Sequence, residues 1–147
     1  MTGNTSATGI CPVSVAQRLT ADKTAPGTAR EMTREFLRDR ATEGETENAV
    51  LMVSELVTNS VLASEGMPGA SVCLSLRTVG TQLFARVIDS APGFPEAGVP
   101  VPGDDEHGFG LFVVQKISAR YGWFPMNGGR KCTYFLLYLG DDTEGDE

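Results

Sequence analysis

The sequence predicts an α+β fold in which helices are layered on one face of a mixed, mostly antiparallel β-sheet. Two stretches in the first half carry apolar residues at three- and four-residue spacing, which is typical of amphipathic helices. Other stretches alternate apolar and polar residues, and two of these are separated by only a short turn. Helical and strand-like stretches do not alternate as in βαβ units, so the pattern favours locally paired strands.

The first two elements lie in residues 12–40. Residues 12–20 place valine and leucine at alternate positions, which indicates a first strand. Pro26 suits the first turn of a helix, and we expect that helix to reach about Arg40. Its core-facing positions recur at helical spacing: Ala29, Met32, Thr33, Phe36 and Leu37.

A second helix is expected after Gly44, with Thr46 as its N-cap. Its core side is a stripe of valines, and the turn-forming stretch 66–69 ends it. The stripe consists of Val50, Val53, Val57 and Val61.

A hairpin follows, because residues 71–77 and 82–89 both alternate and flank the turn residues 79–81. Residues 91–110 are rich in proline and glycine, which predicts a long and therefore functional or disordered loop.

Two more elements are expected after the loop. A third helix is predicted from about Phe109 to Tyr121, with Gly122 as its C-terminal stop. A last strand is predicted over residues 132–139.

Length and charge indicate one domain between two tails. The 147 residues fit a single domain over 12–139, with a disordered lead at 1–11 and an acidic disordered tail at 140–147. The net charge is −7, and the tail alone holds five acids and no base. This balance argues against direct nucleic-acid binding, which needs a basic surface.

The remaining composition favours the cytoplasm. The three cysteines are widely spaced and fit neither a disulfide framework nor a zinc site. The sequence lacks an apolar run long enough to span a bilayer and a secretory signal, so we expect a cytoplasmic protein with no membrane contact.

Three patterns could form a binding site. Glu55 and Asn59 are one helical turn apart, and together they could hold a cation and a water, or simply be exposed. Asp89 ends an apolar strand and needs a donor, which a ligand amino group or a turn backbone would supply. Gly108 and Gly110 precede the start of a predicted helix, where backbone N–H groups could bind a phosphate, or they simply form a loop that leads into the helix.

In this order the patterns resemble the GHKL ATP-binding superfamily of gyrase, histidine kinases and related ATPases. Residues 55–59 resemble its N box, 89–93 its DxGxG box and 108–111 its second glycine box. The chain is most similar to the bacterial anti-sigma factor serine kinases, through VSELVTNSV at 53–61 and GFGLFVVQKISARYGW at 108–123. The similarity extends over about residues 12–139.

The resemblance implies a role for each motif. Asn59 would ligate Mg²⁺ on the ATP phosphates, Glu55 would be the general base, and Asp89 would accept the adenine amino group. Residues 94–107 would form a lid over the nucleotide. The remaining nucleotide contacts would come from Gly93, Gly108, Gly110, Leu111 and Cys132.

Two positions depart from the family pattern. Ala91 replaces the first glycine of the DxGxG box. Cys132 falls at the adenine-side threonine, which would place Thr133 on the opposite face of the strand. The lid also carries four acids and the single histidine, His107, but no lysine or arginine.

Two functions therefore remain open. The chain is expected to be an ATP-dependent protein-serine kinase that sequesters a sigma factor and phosphorylates an anti-sigma-factor antagonist, a reading favoured by the Glu55 and Asn59 pair. Alternatively it is a weakly active or inactive binding module that regulates transcription only by sequestering a partner, a reading favoured by Ala91 and the acidic lid. A histidine-kinase fragment fits less well, because the only histidine lies in the lid.

The resemblance also implies a homodimer, which could form at the edge of the first strand.

Overall fold

The computed structural model describes residues 13–92 and 118–140. Within these residues two helices lie on one face of a five-stranded sheet, whose strand order is β1-β2-β3-β5-β4 and whose neighbouring strands are all antiparallel. The predicted α+β class is confirmed. The elements are β1 (Val13–Thr20), α1 (Ala25–Leu37), α2 (Glu43–Ala63), β2 (Ser71–Val79), β3 (Gln82–Asp89), β4 (Arg120–Met126) and β5 (Arg130–Tyr138).

The start of α2 is set by a capping box rather than by Thr46. Thr42 has an extended backbone, and its hydroxyl accepts the N–H of Glu45 at 3.1 Å. The Glu45 carboxylate in turn accepts the N–H of Thr42 at 2.8 Å. Both interactions satisfy N–H groups that a helix start leaves unpaired, so the helix begins at Glu43 and Thr46 lies inside it.

The end of α1 is also earlier than expected. The helix stops at Leu37, and Asp39 has a φ of 69° that a helix cannot contain. Arg40 therefore lies in the turn between α1 and α2.

The core lies between the helices and the sheet. Val50, Val53 and Val57 are buried and Val61 is partly buried, which confirms the valine stripe of α2. The alternate residues of β2 and β3 that face the helices are fully or almost fully buried. This face of the sheet is called the helix-covered face below, and its central side chains are Val72, Leu74, Leu76, Leu83, Ala85 and Val87.

The predicted hairpin is confirmed. The strands β2 and β3 pair from Cys73 opposite Ile88 to Val79 opposite Gln82. Gly80 in the turn has a φ of 60°, which glycine adopts without the steric penalty of other residues.

The end of the predicted third helix is wrong. Arg120 and Tyr121 belong to strand β4, and Gly122 lies inside that strand rather than at a helix stop. The strand turns back through 127–129 and pairs with β5, which begins at Arg130 instead of 132. The rest of that predicted helix lies outside the described residues.

Two residues explain why the sequence pattern did not predict strand β4. Proline and glycine weaken a strand pattern, and β4 contains both Gly122 and Pro125. Its place at the edge of the sheet explains how Pro125 is tolerated, since an edge strand does not need every backbone donor. Neither of the described helices is long and apolar enough to cross a membrane.

Candidate nucleotide-binding site

Glu55 and Asn59 lie on the flank of α2, next to its buried valine side. Both are half-buried, and their four-residue spacing places them on one side of the helix. The Nδ2 atom of Asn59 is buried and has no hydrogen-bond partner among the described residues. A buried amide nitrogen without a partner is rare in folded proteins, and a hydrogen-bond acceptor at this position would satisfy it.

Asp89 lies at the end of β3 and is almost completely buried, with 3% of its surface exposed. One carboxylate oxygen, Oδ1, accepts from the Lys131 ammonium at 2.6 Å and from the Ala91 backbone N–H at 3.0 Å. The other, Oδ2, accepts from the Ser60 hydroxyl. Asp89 therefore obtains its donors from the protein itself.

Lys131 was not expected in this site. It stands directly opposite Asp89 in the β3–β5 pairing, and its ammonium also donates to the Ala91 carbonyl at 2.8 Å. The only sequence signal was a lysine next to the last strand, and recognising its partner required the register between two strands that are far apart in the chain.

The site joins α2 to the end of β3. Ser60, which donates to Asp89, directly follows Asn59 in the helix. One hydrogen bond therefore links Asp89 to the helix residue that directly follows the predicted N box. Ser60 is itself buried, and its carbonyl accepts from the Ser64 hydroxyl at 2.8 Å, which closes the last turn of the helix.

The expected faces of Cys132 and Thr133 are reversed. Cys132 pairs with Ile88, so it points away from the helices, whereas Thr133 pairs with Val87 on the helix-covered face. Thr133 is buried on the same side as Asp89 and Lys131. Burial raises the pKa of the Cys132 thiol, an effect that the Arg86 guanidinium on its own side partly offsets.

Residues 19–133 of the sequence match the family model of the histidine kinase-like ATPase domain. The chain belongs to this family. The match includes the helix with Glu55 and Asn59, the strand that ends in Asp89, and the glycine motifs that follow. No curated protein matches the chain significantly.

A solved structure has the same fold as this ATPase domain. It is the crystal structure of the RsbU and RsbW domains of Rv1364c from Mycobacterium tuberculosis, with a TM-score of 0.63 and 20% sequence identity. The alignment covers 86% of this chain and 32% of the Rv1364c chain. The chain thus spans about a third of the length of that structure.

The ATPase domain carries Ala91 where the family motif has its first glycine. Its side chain is buried, and its backbone uses both polar groups, one on Asp89 and one on Lys131. The remaining predicted contacts, Gly93, Gly108, Gly110 and Leu111, lie outside the described residues, as do His107 and the predicted lid at 94–107.

The described residues of the ATPase domain fit a magnesium ion only in combination with a nucleotide. They contain no group of three or more histidine, cysteine, aspartate or glutamate side chains that could hold a metal. Mg²⁺ in nucleotide sites commonly uses one or two protein ligands, with phosphate oxygens and water supplying the rest. The unpartnered amide of Asn59 fits this arrangement, since turning the amide over would present its oxygen at the same place.

Proposed function

We propose that the chain is an ATP-dependent protein-serine kinase that also acts as an anti-sigma factor. It binds ATP at the junction of α2 and β3, transfers the γ-phosphoryl group to a serine of a small antagonist protein, and holds a sigma factor inactive. The observation that supports this proposal best is the hydrogen bond from Ser60 to Asp89, because Ser60 directly follows Asn59, whose amide nitrogen is buried without a partner among the described residues. Membership of the ATPase domain family supports ATP as the ligand.

In the proposed mechanism Asn59 would hold Mg²⁺ through its amide oxygen. The ion would neutralise charge on the phosphates. Glu55, one helical turn earlier, would accept the proton of the substrate serine while the serine oxygen attacks the γ-phosphorus. The bond from that phosphorus to the β–γ bridging oxygen breaks, so the products are ADP and phosphoserine, with the proton left on Glu55.

Adenine selectivity would depend on Asp89. An ionised carboxylate has about four acceptor positions, and the protein already fills three of them. The remaining position suits the amino group on C6 of adenine. Guanine has an oxygen there, and two facing acceptors would leave a buried group unpaired at a cost of about 1–3 kcal/mol.

The binding-module alternative is favoured by the Lys131 contact. The Asp89 side chain is only 1% exposed, and the ammonium that covers it also holds the Ala91 carbonyl. A domain in which this ion pair excludes adenine would bind partners without transferring phosphate.

Calorimetry with ATP and GTP, each with and without Mg²⁺, tests the nucleotide proposal. We expect ATP to bind more tightly than GTP, and Asp89→Asn to weaken ATP binding while circular dichroism shows an intact fold. Equal binding of the two nucleotides by the native chain would contradict the role of Asp89.

Phosphoryl transfer is tested with γ-labelled ATP and a panel of candidate antagonist proteins. Glu55→Ala should abolish transfer and change ATP affinity only slightly. Glu47→Ala is the matched control, because Glu47 is an exposed glutamate on the same helix that pairs with Arg34 at 3.7 Å. Native-rate transfer by Glu55→Ala would exclude Glu55 as the base, and a native chain that phosphorylates no cognate antagonist would establish the binding-module alternative.

We also propose that the chain forms a homodimer through β1. This strand is at one edge of the sheet, where its outer backbone groups are free to pair with a second copy. Light scattering at micromolar concentration tests this, since a dimer has twice the monomer mass of 15.7 kDa. A mass of 15.7 kDa at every concentration would exclude the dimer.

A further inference from the structure

The face of the sheet turned away from α1 and α2 has an unusual composition. We call it the open face, and it consists of the side chains that alternate with those of the helix-covered face. Its charged members within the described residues are all arginines, although the whole chain has a net charge of −7. They are Arg18 on β1, Arg77 on β2, Arg86 on β3, Arg120 on β4 and Arg130 on β5.

One row of side chains across the open face has apolar residues between two arginines. In register, Arg77 stands opposite Phe84, Phe84 opposite Leu136, and Leu136 opposite Arg120. Two apolar residues therefore lie between two exposed arginines, and Ser14 of β1 stands on the other side of Arg77. Because neighbouring strands are about 4.8 Å apart, the two arginine backbones are separated by three spacings, or about 14 Å.

Aromatic rings extend the apolar middle of this row into a hollow of about 480 Å³. The ring centres of Phe84 and Tyr134 are 5.6 Å apart, and those of Phe124 and Tyr134 are 6.1 Å apart. Phe124 is 41% exposed and Tyr138, at the rim, is 53% exposed. Large exposed apolar groups that lie together commonly mark a binding surface.

A glycine shapes this hollow. A β-carbon on Gly122 would lie 2.6 Å from the Tyr134 hydroxyl oxygen and 2.9 Å from the ring carbon beside it. The Tyr134 ring can lie across β4 only because residue 122 has no side chain. The row is set by the register of the strands, and the hollow depends on the small residue at position 122.

We propose that the open face is a docking surface for an acidic segment of a partner protein, with an apolar side chain between two carboxylates. The apolar side chain enters the hollow, and the carboxylates pair with Arg77 and Arg120. An extended segment rises about 3.3 Å per residue, so acids four residues apart span about 13 Å and match the separation of the two arginines. Arginine forms two parallel hydrogen bonds with a carboxylate, which favours this class of partner.

Charge argues against the two other occupants. A second copy of the chain, face to face, would bring ten arginines together without a described acid on either open face. A nucleic acid would extend beyond the five arginines of each face, and the net charge of −7 would repel its phosphates. The surface is independent of the proposed nucleotide site, because Asp89 and Lys131 are on the helix-covered face.

The probe is a labelled heptapeptide, Ser-Glu-Ser-Leu-Ser-Glu-Ser, titrated into the full chain with fluorescence anisotropy and nitrogen-15 NMR as readouts. We expect chemical-shift changes in the open-face residues of β2, β3, β4 and β5, but not in α1. The double variant Arg77→Glu with Arg120→Glu should weaken binding about tenfold. The matched control is Arg34→Glu with Arg38→Glu, at the C-terminal end of α1. It reverses two exposed arginines away from the open face and should bind within about twofold of the native chain.

Peptide controls and light scattering separate the outcomes. Replacing both glutamates by lysine, or the leucine by serine, should abolish binding. The proposal is overturned if the native chain does not bind the heptapeptide at millimolar concentration, or if both double variants bind equally. It is also overturned if a 15-nucleotide oligothymidine binds more tightly than the peptide, or if Arg77→Glu with Arg120→Glu converts a native dimer into a monomer.

Discussion

Replacing Lys131 by methionine should destabilise the protein strongly, because it breaks a buried ion pair. Methionine keeps most of the side-chain volume but removes the ammonium, which lies 2.6 Å from Asp89 Oδ1. At that distance the gross attraction is about 6 kcal/mol for an effective dielectric constant of about 20. The variant loses this attraction and leaves a carboxylate that is 1% exposed with two donors, Ser60 and Ala91.

After desolvation is taken into account, removing one partner of a buried ion pair costs about 3–5 kcal/mol. Urea unfolding at pH 7, followed by circular dichroism, measures this loss. The double variant Asp89→Asn with Lys131→Met removes both charges, so we expect it to recover most of the lost free energy of unfolding. A loss below about 1 kcal/mol for Lys131→Met, or an equally unstable double variant, would refute the assignment of a structural ion pair.

Three further substitutions test other parts of the structure. Thr42→Ala removes the N-cap of α2 and should lower the free energy of unfolding by about 1 kcal/mol in urea titrations, whereas an unchanged midpoint would exclude the cap. Gly122→Ala should cost about 1–3 kcal/mol and shift the NMR signals of the Tyr134 ring, and unchanged signals would show that the ring does not lie over β4. Burial raises the pKa of Tyr121 to about 12, whereas the pKa of tyrosine in the unfolded chain is about 10. The stability that Tyr121 contributes is therefore fully present below pH 10 and is lost as the pH rises toward 12. Tyr121→Phe should therefore reduce the loss of stability in unfolding curves recorded from pH 9 to 12. At pH 7 the variant should be as stable as the native chain, because the hydroxyl has no partner among the described residues. An equally steep loss of stability at high pH in the variant would contradict this.

The parts of the fold that depend on neighbouring residues could be predicted from the sequence. The valine stripe of α2 and the hairpin at Gly80 both follow from patterns within about ten residues, and both are confirmed. The helix start was predicted wrongly although a local signal was present: Thr42 and Thr46 can both cap a helix, but only Thr42 has a glutamate, Glu45, three residues later.

The parts that depend on distant pairing were missed. Lys131 meets Asp89 across 42 positions of the chain, and no local pattern reports which residues of two strands stand opposite each other. The same register decides the faces of Cys132 and Thr133, which were predicted the wrong way round. A slip of one residue in an assumed register is sufficient for such an error, because side chains alternate between faces.

The order of strands in the sheet differs from their order in the chain, because β5 lies between β3 and β4. β3 ends at Asp89 and β4 begins at Arg120, yet the sheet is continuous there because β5 pairs with both strands. Because β5 pairs with both β3 and β4, and the Asp89–Lys131 bridge lies within the β3–β5 pairing, the sheet needs no direct contact between β3 and β4.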